Sequence, residues 1–291
     1  MTGTDRHDRH DRHNRPDDRT DGTERAHRVD RIDTSRPHPA RVYDWYLGGK
    51  DNYPVDEELG RQIMGVDGTA RHVARTNRWF MQRVTRWMAR EAGVRQYLDI
   101  GTGIPTEPNL HQIAQAAAPE SRVVYADNDP IVLTQAEALL RSTPEGVTDY
   151  IQADVREPER ILEQACETLD FTRPVSLSLV ALTHFLDDDD RPYDLVERLV
   201  AALPPGSHLV LSQLTADLDP DAVLRGVQMY SAGGVTLVPR THAEVSRFFD
   251  GLELVEPGVV QLTRWHPELA VDETVDEDAV ISLYGAVARK P

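Results

Sequence analysis

Between residues 95 and 214 the chain alternates short apolar runs with amphipathic segments, and this rhythm restricts the fold more than any other feature. The runs are "RQYLDI" (95–100), "RVVYAD" (122–127), "DYIQAD" (149–154), "PVSLSLVAL" (174–182) and "SHLVLSQL" (207–214). Between them, Leu110, Ile113, Ala114 and Ala117 share one helical face, and "PIVLTQAEALLRS", "PERILEQACETL" and "RPYDLVERLVAAL" read as helices. Near-continuous apolar strands joined by helices are βαβ units, whose parallel sheet is covered on both faces. The rhythm then breaks. A helical stretch near 220–231 and a Thr-x-x-Glu capping box at Thr241 and Glu244 precede "LELVEPGVV" (252–260) and "ISLYGAVARK" (281–290), two strand-like runs separated by the acidic "DETVDED" and no helix. Such a pair closes antiparallel. The expected fold is α/β and doubly wound, a seven-stranded, mostly parallel sheet with an antiparallel C-terminal strand.

Ahead of the first strand, "TNRWFMQRVTRWMAREAGV" sets Phe80, Val84, Trp87 and Met88 at i, i+4, i+7 and i+8. This predicts a helix of about four turns, capped by Thr76 or Asn77 and ended by Gly93. The first 37 residues repeat Asp, Arg and His with almost nothing to bury, and are expected to be disordered. Their histidines admit two readings, a loose metal site or a solvated tail. No run approaches the ~18 to 20 apolar residues of a membrane helix, and the start of the chain has no apolar h-region. A cytoplasmic location is the expectation. Cys166 is the only cysteine, so neither a disulfide framework nor a thiolate metal cluster is available, and it is expected as a buried or half-buried helix residue.

The formal charge is -17, and since residues 1–36 hold equal numbers of acidic and basic side chains, the whole excess lies in the body. That field repels phosphate backbones and anionic headgroups. Neither nucleic acid nor a membrane is an expected partner; a small neutral or cationic substrate, or a protein, is easier to reconcile with it.

In a doubly wound sheet ligands bind beyond the carboxyl ends of the strands, near the point where strand order reverses. The first run ends in "LDIGTG", which puts Asp99 two positions ahead of the turn Gly101-Thr102-Gly103. A dinucleotide fingerprint needs a further glycine three residues on, where Thr106 stands, and Pro105 sits where the turn is expected to enter its helix. A carboxylate beside a pyrophosphate is repulsive, whereas an ammonium or sulfonium is attracted. The second run ends in "ADND", with Asp127 positioned for ribose hydroxyls, and the third ends at Asp154, positioned for an exocyclic amine. Each acid alone is also a capping residue type, and Asp129 before Pro130 reads as a helix N-cap.

With these motifs the chain resembles the class I S-adenosylmethionine-dependent methyltransferases: "YLDIGTG", "VVYADNDP", "YIQAD" and "SLVALTHFLDD" are similar to their successive motifs, and "LELVEPGVV...WHPE...YGAVARK" to their last two strands. More narrowly, "RVYDWYLGGKDNYPVDEE" resembles the N-terminal block of an actinobacterial S-adenosyl methyltransferase family, formerly a domain of unknown function. The resemblance spans about residues 38–290. It implies a tail at 1–37, a helical arm or lid at 38–94 and an S-adenosylmethionine-binding methyltransferase domain at 95–291. It also implies that Asp99 and the turn Gly101, Thr102 and Gly103 receive the methionine part of S-adenosylmethionine and Asp127 the ribose. Asn128 then takes an adenine face, Asp154 and Val155 its edge, and Val180 to Leu182 line the sulfonium side. Pro105 departs from the family's frequent third glycine.

The acceptor side is thinner. Tyr46, Lys50, Asn52 and Tyr53 form either a lid hinged at Gly48-Gly49 or an arm packed on the sheet. Arg75 and Asn77, at the start of the next helix, are placed to reach the cofactor carboxylate, with solvation the other reading for the arginine. His184 follows the fourth strand, as a general base or as a helix-entry residue bonded to a carbonyl, and no other catalytic candidate stands out. The "LDDDD" run, 186–190, reads as a solvated helix start, with a loose cation site as the other reading. Three functions compete: methyl transfer to a small-molecule acceptor, lined by Tyr46, His184 or Tyr230; a non-catalytic sensor of S-adenosylmethionine or S-adenosylhomocysteine; and a nicotinamide dehydrogenase, disfavoured by Asp99 and the missing glycine.

Overall fold

A computed structural model of the chain describes residues 33–66, 68–139, 141–271 and 280–291. Most of the Asp-Arg-His-rich tail and the acidic "DETVDED" lie outside the described residues. Three helices come first, α1 (Pro39–Leu47), α2 (Pro54–Val66) and α3 (Ala70–Arg90). The alternation follows as β1 (Gln96–Ile100), α4 (Leu110–Ala117), β2 (Arg122–Asp127), α5 (Pro130–Leu139), β3 (Val147–Gln152), α6 (Pro158–Ala165), β4 (Ser176–Val180), α7 (Pro192–Ala201) and β5 (His208–Leu214). Next come α8 (Pro220–Ala232), α9 (His242–Arg247), β6 (Glu253–Leu254), β7 (Val260–Gln261) and β8 (Leu283–Arg289).

The sheet order is β3-β2-β1-β4-β5-β8-β6, with β7 also on β8. β1 to β5 are parallel, and β8 runs antiparallel to β5, β6 and β7. Strand order therefore reverses between β1 and β4. Side chains alternate across the strands, so Leu98, Val124, Leu177 and Leu209 enter a core beneath α6, α7 and α9, while Tyr97, Val123, Val210 and Val287 enter a second core with Phe80, Val84 and Met88 of α3. Each buried large aliphatic side chain contributes about 1.5 to 3 kcal/mol.

Four expectations change. The run 252–260 is not one strand: Pro257 has no N–H, Gly258 takes φ +84°, and its N–H closes a turn onto Val255 O at 2.9 Å, leaving two short strands and a sheet of eight. α3 begins at Ala70, so Thr76 and Asn77 are buried inside the helix, not capping it. Cys166 is exposed, at the C-terminal end of α6. Residues 33–37 are tied down, since the Arg41 guanidinium donates to Asp33 O and Arg36 O at 3.1 Å each. The capping box does form, with Thr241 and Glu244 bonding reciprocally.

Candidate active site

β1 delivers Asp99 to the top of the sheet beside the reversal point. Gly101 (φ +72°) donates to Ala126 O at 2.8 Å, and a Cβ there would meet Leu182 Cδ1 at 2.6 Å, so the turn needs glycine for both shape and space. Gly103 (φ +66°) has nothing within 4 Å of its would-be Cβ; its backbone faces open space. The helix after the turn starts later than Pro105: residues 101–109 form a loop, and α4 is capped by Asn109 in a box with Gln112. Arg78 of α3 holds that loop by donating from Nη2 to Thr106 O and Pro108 O.

Asp99 is 9% exposed, and its carboxylate accepts from Thr102 Oγ1 at 3.0 Å. Burial pushes its pKa up to about 6, against the downward pull of that hydrogen bond and of Arg78, with Asp127 adding to the rise. Asp127, at the end of β2, accepts from Gly103 N–H at 2.8 Å and Asp129 N–H at 3.0 Å, and burial raises its pKa too. Neither acid is in an ion pair among the described residues, in contrast to Asp129, whose Oδ2 lies 3.1 Å from His38 Nδ1 and 3.6 Å from Arg41 Nε. Asp129 also caps α5 through Ile131 N–H at 3.0 Å. Beyond β3, Asp154 accepts from Asn128 Nδ2 at 2.9 Å and pairs with Arg156, whose guanidinium grips Asp190 at 2.6 and 2.7 Å.

On the other side of the reversal point, β4 is followed by Ala181 with φ +57°. Its N–H donates to Ser212 Oγ at 2.9 Å, Ser212 Oγ donates to Asn77 Oδ1 at 2.6 Å, and Asn77 Nδ2 donates to Tyr43 OH at 2.9 Å, which bonds Ala74 O. This chain joins the β4 loop to α3 and α1. His184 is 7% exposed, accepts at Nδ1 from Leu214 N–H at 3.3 Å, and has its pKa pushed down to about 3 by burial and then by Arg240. A ring so reluctant to take a proton is a poor general base.

These loops open on one cavity of about 470 Å³ that extends under α1, α2, α3 and α8. Comparison with known protein families matches residues 25–291 to the S-adenosyl methyltransferase family. The chain belongs to that family. A DUF574 family protein from Streptomyces avermitilis MA-4680 is similar at 50% identity, over 90% of this chain and all of that one, with a TM-score of 0.84. A structure from Thermobifida fusca YX, named as a candidate methyltransferase, is 38% identical over 89% of this chain and 96% of its own, with a TM-score of 0.80. No curated protein matches.

The methyltransferase thus uses S-adenosylmethionine, and the donor set fits a cationic nucleoside: a buried carboxylate without a cation partner stands beside an open glycine backbone. Among the described residues there is no group of His, Cys, Asp or Glu suited to a metal, and no helix is long and apolar enough to cross a membrane. Of the residues singled out in the sequence, Asp99, Gly101, Thr102, Gly103, Asp127 and Asn128 line the cavity together, as do Asp154, Val155, Val180 and Leu182. Tyr46, His184 and Tyr230 line it as well.

Four do not. Arg75 is exposed and does not line the cavity. Lys50 is exposed, Asn52 Nδ2 donates to Asp44 Oδ2 at 2.8 Å, and Tyr53 packs with Ile104, Ile131 and Val132 under the Arg41 guanidinium. At Gly48-Gly49, buried Asp44 clasps the turn by accepting from Gly49 N–H through its carbonyl and from Asp51 N–H through its carboxylate. The acids at 187–190 form a tight turn, Asp187 accepting from the N–H groups of Asp189 and Asp190, before α7 begins. Asn77, named in the sequence beside Arg75, lines the cavity, whereas Arg78 and Tyr43 are lining residues missed. The signal for Arg78 was its place one turn beyond Ala74 on the face of Ala70, Ala74, Asn77 and Met81, a helix face too small and polar to register as apolar.

Proposed function

We propose that the enzyme transfers the methyl group of S-adenosylmethionine to a small molecule that enters the same cavity from the side of the helical arm, residues 38–94, while residues 95–291 hold the cofactor. The observation that carries this reading is continuity: one cavity runs from Asp99, Gly103 and Asp127 to Tyr46, His184 and Tyr230. A sensor needs only the first half. When bound, the cofactor supplies a methyl group activated on a sulfonium.

The chain's own residues bind, orient and exclude water. Asp99 attracts the positively charged methionine portion, and the turn 101–103, held by its own N–H bonds to Ala126 O and Asp127, lets the ligand approach the backbone closely at Gly103. Asp127 accepts from the ribose hydroxyls with lone pairs its two backbone donors leave free, while Asn128, Asp154 and Val155 surround the adenine. Val180 to Leu182 line the sulfonium. Tyr43 and Asn77, through Ser212, fix the left-handed backbone at Ala181 where the two halves of the cavity meet. The acidic body favours a small acceptor over nucleic acid.

The test is incubation with methyl-labelled cofactor and the small-molecule fraction of a host extract, beside calorimetry with S-adenosylmethionine alone. Label in an extractable small product supports the reading. Tight binding without transfer favours the sensor, and label in protein or nucleic acid removes the small-molecule acceptor.

A further inference from the structure

The acceptor half of the cavity has a chemistry of its own. Apart from His184, the acidic and basic lining residues gather about the strand ends: Asp99, Asp127 and Asp154 with Arg156, and from the arm His38 and Arg78, whose charges act on Asp127 and Asp99. His184 stands at the boundary, uncharged. The rest of the wall is apolar or neutral, with Ile63, Val73, Val223, Val235 and Leu237 joined by the hydroxyls of Tyr46 and Tyr230. A charged guest there loses its hydration and gains no counter-ion.

Nor does that half hold a base. His184 Nδ1 already accepts the Leu214 N–H, which leaves the ring proton on Nε2, so the imidazole has a proton to donate and no free lone pair to accept one. Its pKa of about 3 agrees with that role, and burial lifts the Tyr230 hydroxyl to about 12. An alcohol or phenol must shed its proton as the new bond forms, and this wall offers nowhere for it to go.

Resting on the methyl-transfer reading above, we propose that the acceptor is an uncharged, largely apolar molecule that reacts through a nitrogen or sulfur lone pair. In the step, the lone pair forms a bond to the methyl carbon as the carbon–sulfonium bond breaks. That bond's electron pair returns to sulfur, leaving a neutral thioether. The positive charge passes to the acceptor, and any proton it then carries is released to water after the product leaves.

Four bicyclic probes of similar shape test this: isoquinoline, 2-naphthol, 2-naphthoate and 2-naphthylmethylammonium, each titrated at pH 7.5 into the full chain saturated with S-adenosylhomocysteine and each assayed with methyl-labelled cofactor. The two ions should bind at least about 30-fold more weakly than the neutral pair. Isoquinoline should take label at least about 100-fold faster than 2-naphthol, the order of magnitude a positioned base contributes. Equal or tighter binding of either ion overturns the proposal, as does faster labelling of 2-naphthol. If none of the four binds or is labelled while S-adenosylhomocysteine binds, the proposal fails and the transfer reading stands. If S-adenosylhomocysteine does not bind, the underlying reading fails.

Discussion

Replacing Asp99 by Asn should stabilise the ligand-free protein and weaken its hold on S-adenosylmethionine, two opposite effects from one isosteric change. Burial, more than any neighbour, lifts this carboxyl from 3.8 to about 6. A rise of about two pH units at about 1.4 kcal/mol each corresponds to roughly 3 kcal/mol. The folded carboxyl binds its proton more tightly than the unfolded one, so between pH 3.8 and about 6 the folded state holds more protons. Stability from this group is therefore greatest below the unfolded pKa, falls as pH rises through that window, and stays low above it. Asparagine keeps an acceptor for Thr102 Oγ1 and carries no charge. The variant should gain up to roughly 3 kcal/mol at pH 7.5, several degrees in Tm, and almost nothing below pH ~4. Binding moves the other way, since a unit charge about 4 Å from a cation is worth about 4 kcal/mol at an effective dielectric constant near 20. Losing half of that leaves the cofactor about 30-fold weaker. Urea titrations of both proteins at pH 4 and 7.5, with calorimetry at pH 7.5, measure all three quantities. A variant that is less stable at both pH values and binds S-adenosylmethionine unchanged would refute the electrostatic account of the site.

The two turn glycines should separate by function. Gly101→Ala and Gly103→Ala each cost about 1 to 2 kcal/mol for the left-handed backbone, and the first also displaces Leu182. The new methyl of the second projects into open space at the cavity, so its melting temperature should respond far less to added cofactor. Arg78→Leu frees Thr106 O and Pro108 O and should weaken cofactor binding by calorimetry while costing about 1 to 3 kcal/mol of global stability. Arg83→Met removes a fully buried guanidinium that donates to Leu262 O at 2.7 Å and Trp265 O at 2.9 Å. A loss on the order of 3 kcal/mol should appear in urea unfolding, with cofactor affinity of the remaining folded protein unchanged.

What the sequence made visible follows from which forces were local. β1, β2 and β5 start and stop within a residue of their apolar runs, because strands buried on both faces leave little room for polar residues. The β3 run sits at the sheet edge with only β2 beside it, and its pairing register, Arg122 opposite Val147, moves the strand two residues toward the N-terminus. The strand-end acids were legible for the same reason as the strands. The start of α3 was not, because its first turns meet the cavity and the small cluster beside it through Ala70, Ala74 and the polar Asn77, side chains that give little apolar signal. Arg75 and Arg78 are alike in the sequence; one further turn of helix, fixed only by the fold, separates an exposed side chain from one that holds the glycine loop. The Asp44 clasp depends on a buried carboxylate that gathers the N–H of Asp51 and the amide of Asn52, which no local apolar pattern reports.

The cavity's two unpaired acids explain why this site suits one cofactor and not another. Asp129 has both His38 and Arg41 within ion-pair distance, and Asp154 has Arg156. Asp99 and Asp127 have backbone N–H groups and one hydroxyl, which satisfy oxygens without neutralising charge. Placing those donors costs the ligand nothing at binding, because Gly103 N–H is already fixed on Asp127 and Arg78 already holds the loop behind it. What is left over is negative potential in a dry site, where a charge acts more strongly than in water. A nicotinamide dinucleotide would bring two phosphates into that potential; S-adenosylmethionine brings a sulfonium and an ammonium. Once the methyl group has gone, the sulfur is neutral and part of that attraction is lost. The acids that recruit the cofactor therefore also favour release of its product, and the ratio of affinities for S-adenosylmethionine over S-adenosylhomocysteine should narrow in Asp99→Asn.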